Sequence, residues 1–230
     1  TLKKAEMVKS VSNITPFTLL DYPDKTACIL WYAGCNMRCL YCYNPEVVFG
    51  KGKFSFPEMV SFLETRKGLL DAVVFSGGEC LLHKDIVEQI QAVKTMGFLV
   101  KVDTNGSKPE VLQNLLEKKV IDYVALDFKS TKESFDAITQ SDLFDQFEKS
   151  LQLLLNANIP FEVRTTYHSE LLAKEELCEM IDYLQYNQYT GTYYIQHFRN
   201  NVETISKLPD SRDRLEHQLP ENPNLKIKFR

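Results

Sequence analysis

Apolar and polar positions alternate along this chain in blocks. Short runs rich in β-branched and aromatic residues occur at Ala27–Tyr32, Ala72–Phe75, Leu99–Asp103, Tyr123–Asp127, Phe161–Thr166 and Thr192–Phe198. Most are apolar on both faces, as strands of a parallel sheet covered on both sides are. Between them, apolar residues recur at helical spacing: Ile86, Ile90 and Val93; Leu143, Phe147, Leu151 and Leu154; Leu177, Met180, Ile181 and Leu184. Ser55, Pro57 and Glu58 carry the signature of a capping box with an early proline, and Ser107, Pro109 and Glu110 repeat it. The pattern predicts an α/β fold of six strand–helix units, arranged as an open sheet or a partial (β/α)6 barrel. A final alternating run, Leu225–Phe229, reads as a short edge strand. We read residues 1–230 as one domain, with a core over about 12–198 and a C-terminal extension over about 200–230 that shows no chemistry of its own.

The residues just after the strands favour the barrel. The first strand runs into Gly34-Cys35, the second into Ser76-Gly77-Gly78-Glu79, the third into Asp103-Thr104-Asn105-Gly106 and the fourth into Asp127-Phe128-Lys129. The fifth carries Arg164 and the sixth Gln196-His197. The C-terminal ends of parallel strands share one face, where α/β enzymes place their sites. Turns are polar anyway, which accounts for any one of these groups. Six in succession are harder to dismiss.

Composition narrows the function classes. The 230 residues are 44% hydrophobic and 25% charged, with a net charge of −4, which excludes a disordered or fibrous chain and argues against a protein that coats nucleic acid. No apolar run approaches the roughly 18 residues of a membrane span. The opening Thr1-Leu2-Lys3-Lys4 does not read as a secretory leader, so a reducing cytoplasm is the expected compartment.

Of six cysteines, Cys35, Cys39 and Cys42 crowd into eight residues. A disulfide framework would spread its cysteines, so the cluster reads as a metal site. Structural zinc wants four ligands, usually in two pairs. A zinc knuckle completed by Cys28, Cys80 or a histidine remains open. A [4Fe–4S] cluster normally takes four thiolates, so three would leave one iron without a protein ligand and open to substrate. Cys28 falls within a regular strand, and Cys178 sits among helical core positions as a small buried hydrophobe. Cys80 would lie near the site, as an oxidation liability or as a buried small residue.

The segment Gly34-Cys35-Asn36-Met37-Arg38-Cys39-Leu40-Tyr41-Cys42 resembles the radical S-adenosylmethionine (SAM) signature, including the aromatic residue before the third cysteine. With Ile14-Thr15-Pro16-Phe17, Asp21-Tyr22-Pro23, Asn44-Pro45-Glu46, Phe75-Ser76-Gly77-Gly78-Glu79, Asp103-Thr104-Asn105-Gly106 and Tyr123-Val124-Ala125-Leu126-Asp127, the chain resembles glycyl-radical-enzyme activases. Within them it is most similar to the activating proteins of anaerobic ribonucleoside-triphosphate reductase. Two positions depart from the usual pattern: Tyr43 stands where histidine is common, and Cys80 where proline is.

The resemblance implies a set of roles. Cys35, Cys39 and Cys42 would hold the [4Fe–4S] cluster. The open iron would chelate SAM, and reduction would cleave it to methionine and a 5′-deoxyadenosyl radical. Tyr41, Tyr43, Gly77, Gly78, Glu79, Asn105, Asp127, Lys129, Arg164 and His197 would surround SAM. Glu79 would grip its ammonium group and Lys129 its carboxylate. Asp103, Thr104 and Asp127 match positions that bind a monovalent cation in pyruvate formate-lyase activase. Each also has a plainer reading: a tight turn for the glycines, capping for Asp103 and Asn105, a surface charge for Arg164, a structural ring for His197. His83 and His168 carry no motif and read as solvated. The expected partners are a glycyl radical enzyme, foremost anaerobic ribonucleotide reductase, and a flavodoxin or ferredoxin as electron donor, with neither nucleic acid nor membrane. The alternatives are a radical SAM enzyme acting on a small molecule, and a metal-binding interaction module without catalysis.

Overall fold

The computed structural model describes residues 8–212, 215, 219 and 225–230. The elements run β1 (Lys9–Thr18), β2 (Ala27–Tyr32), α1 (Pro45–Phe49), β3 (Phe54–Ser55), α2 (Phe56–Glu64), β4 (Ala72–Gly77), α3 (Ile86–Thr95), β5 (Leu99–Thr104) and α4 (Pro109–Glu117). They continue with β6 (Tyr123–Asp127), α5 (Lys132–Thr139), α6 (Phe144–Asn156), β7 (Phe161–Tyr167), α7 (Lys174–Tyr186), β8 (Thr192–His197) and β9 (Lys226–Phe229). All nine strands join one sheet in the order β3-β1-β2-β4-β5-β6-β7-β8-β9. From β2 to β9 every pairing is parallel; β1 pairs antiparallel with β2 and β3. The ends β3 and β9 do not meet, so the sheet is a barrel left open, as the strand–helix alternation predicts.

Two expectations shift here. The antiparallel β1 and the two-residue β3 add strands beyond the six expected. Ser107 does not cap α4: Lys108 occupies the N-cap position, and Ser107 turns to Asn36 instead. At α2 the expected box is present, with Glu58 accepting from the Ser55 backbone N–H and hydroxyl, both at 2.7 Å.

Strand alternation divides the side chains between two faces. Cys28, Leu30, Tyr32, Val73 and Phe75 point to the helical layer, where Ile90, Val93, Phe147, Leu151, Leu177 and Ile181 complete the main core. Truncating one such aromatic, Phe147, would cost about 3–5 kcal/mol. On the concave face, Ile29, Val74 and Tyr22 form a smaller apolar plug with Trp31 and Tyr123 packed against it. That plug leaves the strand ends, which carry the polar motifs, to form the site. Among the described residues no helix is long and apolar enough to cross a membrane.

Candidate active site at the strand ends

The loop after β2 carries the three cysteines, and neighbouring strand ends fix its path. Gly78 N–H donates to the Tyr32 carbonyl at 3.0 Å and Glu79 N–H to the Gly34 carbonyl at 2.9 Å. A Cβ on Gly77 would stand 2.3 Å from the Tyr32 oxygen, and one on Gly78 2.0 Å from the Gly34 oxygen. The glycine pair therefore serves close approach of two backbones. The approach is to the main chain at the end of β2 and at the start of the cysteine loop.

Cys35, Cys39 and Cys42 line a single cavity of about 150 Å³ with Tyr41, Tyr43, Gly77, Gly78, Asn105, Asp127 and Lys129. Met37, Asn44, Val48 and Thr166, which carried no expected role, complete its wall. Typical sites for drug-sized ligands span roughly 300–1,000 Å³. At about 150 Å³ this cavity lies below that range. Larger grooves of about 660 and 740 Å³ run along α4 and α6, but they are lined by surface amides, charges and aliphatic residues without a cysteine or histidine. Chemistry, not size, singles out the cysteine cavity.

Burial raises the Cys35 thiol to about 11 and the Cys39 thiol above its ordinary value, so each holds its proton until a cation displaces it. Among the described residues the buried Tyr41 hydroxyl has no hydrogen-bond partner, and Tyr41 lines the cavity. Lys129 places Nζ 2.9 Å from Asp127 and 5.9 Å from the centre of the Tyr41 ring. Burial would raise the Asp127 carboxyl, but Arg164 and Lys129 outweigh it and hold the carboxyl below its ordinary value.

Asn105 joins the cavity to the loop. Its side-chain amide donates to the Cys35 sulfur at 3.8 Å and to the Asn36 side chain at 3.1 Å, and Asn36 donates to the Ser107 hydroxyl at 2.9 Å. Asn105 also accepts from Ser107 N–H at 2.9 Å, so the turn reading and the site reading both hold for it. Asn36 and Ser107 were missed as site residues, although both lie in or beside motifs.

The remaining expected residues stand behind the wall. Glu79 is fully buried; its carboxylate accepts from Leu81 N–H at 3.0 Å, Asn105 N–H at 2.7 Å and the Thr104 hydroxyl at 3.0 Å. It is turned inward, not presented to an ammonium group, and burial raises it from 4.5 to about 7. Arg164 reaches 2.9 Å from Asp127 and 3.4 Å from Asp103 on the concave face, so it is no surface charge. His197 lies at the end of β8, its ring stacked 5.4 Å from that of Phe229.

Other residues also depart from expectation. His168 is buried, its Nε2 2.9 Å from the Pro209 carbonyl, and His83 is half-buried against the Ala33 carbonyl. Cys178 is half-exposed on α7, and its place in the core is taken by Leu177 and Ile181. Cys80 is buried with its sulfur 3.6 Å from the Phe75 and Asp103 carbonyls. The extension after β8 is part of the site: Ile205 N–H donates to the Cys42 carbonyl at 3.2 Å and Ser206 N–H to that of Leu40 at 3.1 Å.

Neither Cys28, Cys80 nor any described histidine, the fourth ligands considered for a zinc knuckle, lines the cavity. A [4Fe–4S] cluster normally takes four thiolates, so the three thiols that share this cavity would leave one iron for another ligand.

The comparisons with known proteins agree. A protein of Methanocaldococcus jannaschii, provisionally named a glycyl-radical enzyme activating enzyme, is 33% identical over 173 residues, 73% of this chain and 72% of that protein. A GTP 3′,8-cyclase of Chlorobaculum tepidum is 31% identical over 127 residues, 54% of this chain but 38% of the cyclase. The crystal structure of Streptococcus suis SuiB bound to SAM matches the fold with a TM-score of 0.67 at 14% identity, over 86% of this chain and 48% of SuiB. Residues 29–186 match the model of the radical SAM superfamily, whose cofactors are a [4Fe–4S] cluster and SAM. The chain thus belongs to the radical SAM superfamily, a family of enzymes.

Proposed function

We propose that this enzyme activates a glycyl radical enzyme, with anaerobic ribonucleoside-triphosphate reductase as the partner. The observation that carries the reading is the three-thiol cavity on a chain that matches an activating enzyme over 72% of that protein's length. Held by Cys35, Cys39 and Cys42, a [4Fe–4S] cluster would supply reductive cleavage of SAM to methionine and a 5′-deoxyadenosyl radical.

The chain's own residues hold and orient. Cys35, Cys39 and Cys42 ligate the cluster, while Tyr41, Tyr43, Gly77, Gly78, Asn105, Asp127 and Lys129 surround SAM. Lys129 offers its charge to the SAM carboxylate, and Asp127 fixes the direction of that charge. Glu79 works one step back, through Asn105 and Thr104. Met37 and Val48 keep the wall apolar, which strengthens each charged contact by excluding water. A glycine suits as target because its lack of a side chain lets the α-carbon come close, and the open barrel leaves a gap for an extended segment. Flavodoxin or ferredoxin supplies the electron, in the cytoplasm.

The test mixes anaerobically reconstituted protein, a reductant, SAM and the anaerobic ribonucleotide reductase of the same organism, read by electron paramagnetic resonance. A glycine-centred doublet with 5′-deoxyadenosine formed in step is the expected result. SAM cleavage without a protein radical on any glycyl radical enzyme would favour the second reading, a small-molecule substrate. The match to a GTP cyclase supports that reading, over a smaller share of both chains.

A further inference from the structure

On the concave face, β5, β6 and β7 carry charged residues in register. Asp127 pairs with Arg164, and Lys101 pairs with Tyr123. Their side chains form a ladder of alternating sign. Lys101 stands 3.8 Å from Glu162 and 3.3 Å from Asp103; Arg164 stands 3.4 Å from Asp103 and 2.9 Å from Asp127; Lys129 stands 2.9 Å from Asp127. Only Asp127 and Lys129 line the cavity.

The family resemblance puts an exchangeable monovalent cation at Asp103, Thr104 and Asp127. Each carboxylate oxygen of Asp103 and Asp127 faces a cationic side chain of the chain itself, Asp103 Oδ1 through an ion pair without a hydrogen bond among the described residues. Asp103 Oδ2 accepts from the Ser76 hydroxyl at 3.0 Å and faces Arg164, while Oδ1 faces Lys101. Asp127 Oδ1 meets Arg164 through Nε and Nη2, and Oδ2 meets Lys129. The Thr104 hydroxyl donates to Glu79 and accepts from Gly106 N–H at 3.1 Å. Two carboxylates thus already face three cationic side chains. A guanidinium is planar, permanently charged and rich in N–H donors, so it bridges two carboxylates as a small ion would, yet it cannot dissociate.

We infer that Arg164, backed by Lys101, is a built-in cation that takes the place of an exchangeable monovalent ion beside the SAM cavity. It is a positioning residue: it holds Asp127, which in turn orients Lys129. The inference does not depend on which substrate the enzyme acts upon, so it stands or falls apart from the partner assignment.

The test uses the full chain, cluster-free and reduced, in thermal unfolding with potassium, sodium or choline chloride at equal ionic strength. For the native protein the three curves coincide. Saturable stabilisation by potassium or sodium over choline would overturn the inference. SAM affinity of the cluster-loaded native protein should agree within about twofold in potassium and choline; a tenfold gain with potassium would also overturn it. Arg164→Ala should lose stability in choline and recover part of it in low millimolar potassium or guanidinium, whereas Arg164→Lys should show less of this salt specificity. An Arg164→Ala protein that folds and yet ignores both ions would count against the role. Should that variant fail to fold, the native comparison alone decides.

Discussion

The two halves of the cysteine loop are held in different ways. The first, Gly34 to Met37, is held by main chain at Gly34, which accepts from Glu79 N–H and donates to the Val47 carbonyl, and beyond Gly34 by side chains of the strand ends: Asn105 reaches Cys35 and Asn36, Ser107 closes the ring, and Glu79 anchors Asn105 and Thr104 from behind. The second, Arg38 to Tyr43, is held by main chain. Arg38 and Leu40 donate to the Thr139 and Ile138 carbonyls at the end of α5, and Leu40 and Cys42 accept from Ser206 and Ile205. A side-chain anchor can be cut by one substitution, and a main-chain anchor cannot. The first half should therefore answer strongly to point mutation and pH. The second should answer weakly, except at the thiols.

The largest effect should erase the distinction. Cys35→Ala, Cys39→Ala and Cys42→Ala should each abolish iron binding and SAM cleavage, because a cubane spans both halves and two thiolates hold it poorly. Cys178→Ala should keep both, since that thiol sits on α7, outside the cavity. Iron and sulfide analysis after anaerobic reconstitution checks this. A Cys39→Ala protein that keeps its iron beside a Cys178→Ala protein that loses it would overturn the ligand set.

The next effect singles out the first half. Burial raises Glu79 from 4.5 to about 7, against the pull of its hydrogen bonds. Between those values the folded chain keeps a proton that the unfolded chain releases, so this group favours the fold most below pH 4.5 and loses that contribution as pH rises to about 7. The rise from 4.5 to about 7 corresponds to roughly 3 kcal/mol. Urea unfolding of the cluster-free protein at pH 5 and pH 8 should show native stability falling with pH and Glu79→Gln nearly flat by comparison. Equal slopes in the two proteins would remove Glu79 as the titrating anchor.

How far these features could be read from the sequence depends on their range. β2 and β6 match the expected Ala27–Tyr32 and Tyr123–Asp127 to the residue, because runs apolar on both faces have one reading. β1 escaped because Lys9–Thr18 mixes buried and exposed positions and carries Pro16 on an antiparallel strand near the sheet edge, so no clean period forms. The three thiols were legible because ligand spacing is local. Asn36 and Ser107 were not, because they meet across 71 residues and neither position betrays the other. Arg164 and Glu79 show a subtler limit. Alternation assigns a residue to a face, but whether its charge meets a ligand or another side chain depends on the register of neighbouring strands, and only the assembled sheet supplies that.

The smallest effect tests the second half. The Tyr43 hydroxyl accepts from Arg199 N–H at 2.7 Å, and its ring stacks 5.4 Å from that of Phe198. Tyr43→Phe keeps the stack and removes one acceptor. A single hydrogen bond contributes about 0.5–1.5 kcal/mol net, and water can replace this one because Arg199 is exposed. For a chain of this size that corresponds to a fall in melting temperature of roughly 1–6 °C. Amide exchange at Arg199 should quicken, while iron content and the pH dependence of stability stay as in the native protein. The main-chain bonds from Ile205 and Ser206 remain in the variant, so the loop keeps its path past Leu40 and Cys42. Loss of iron from Tyr43→Phe on the scale of a cysteine substitution would break the comparison, for it would mean that a side chain, not the backbone, holds the second half.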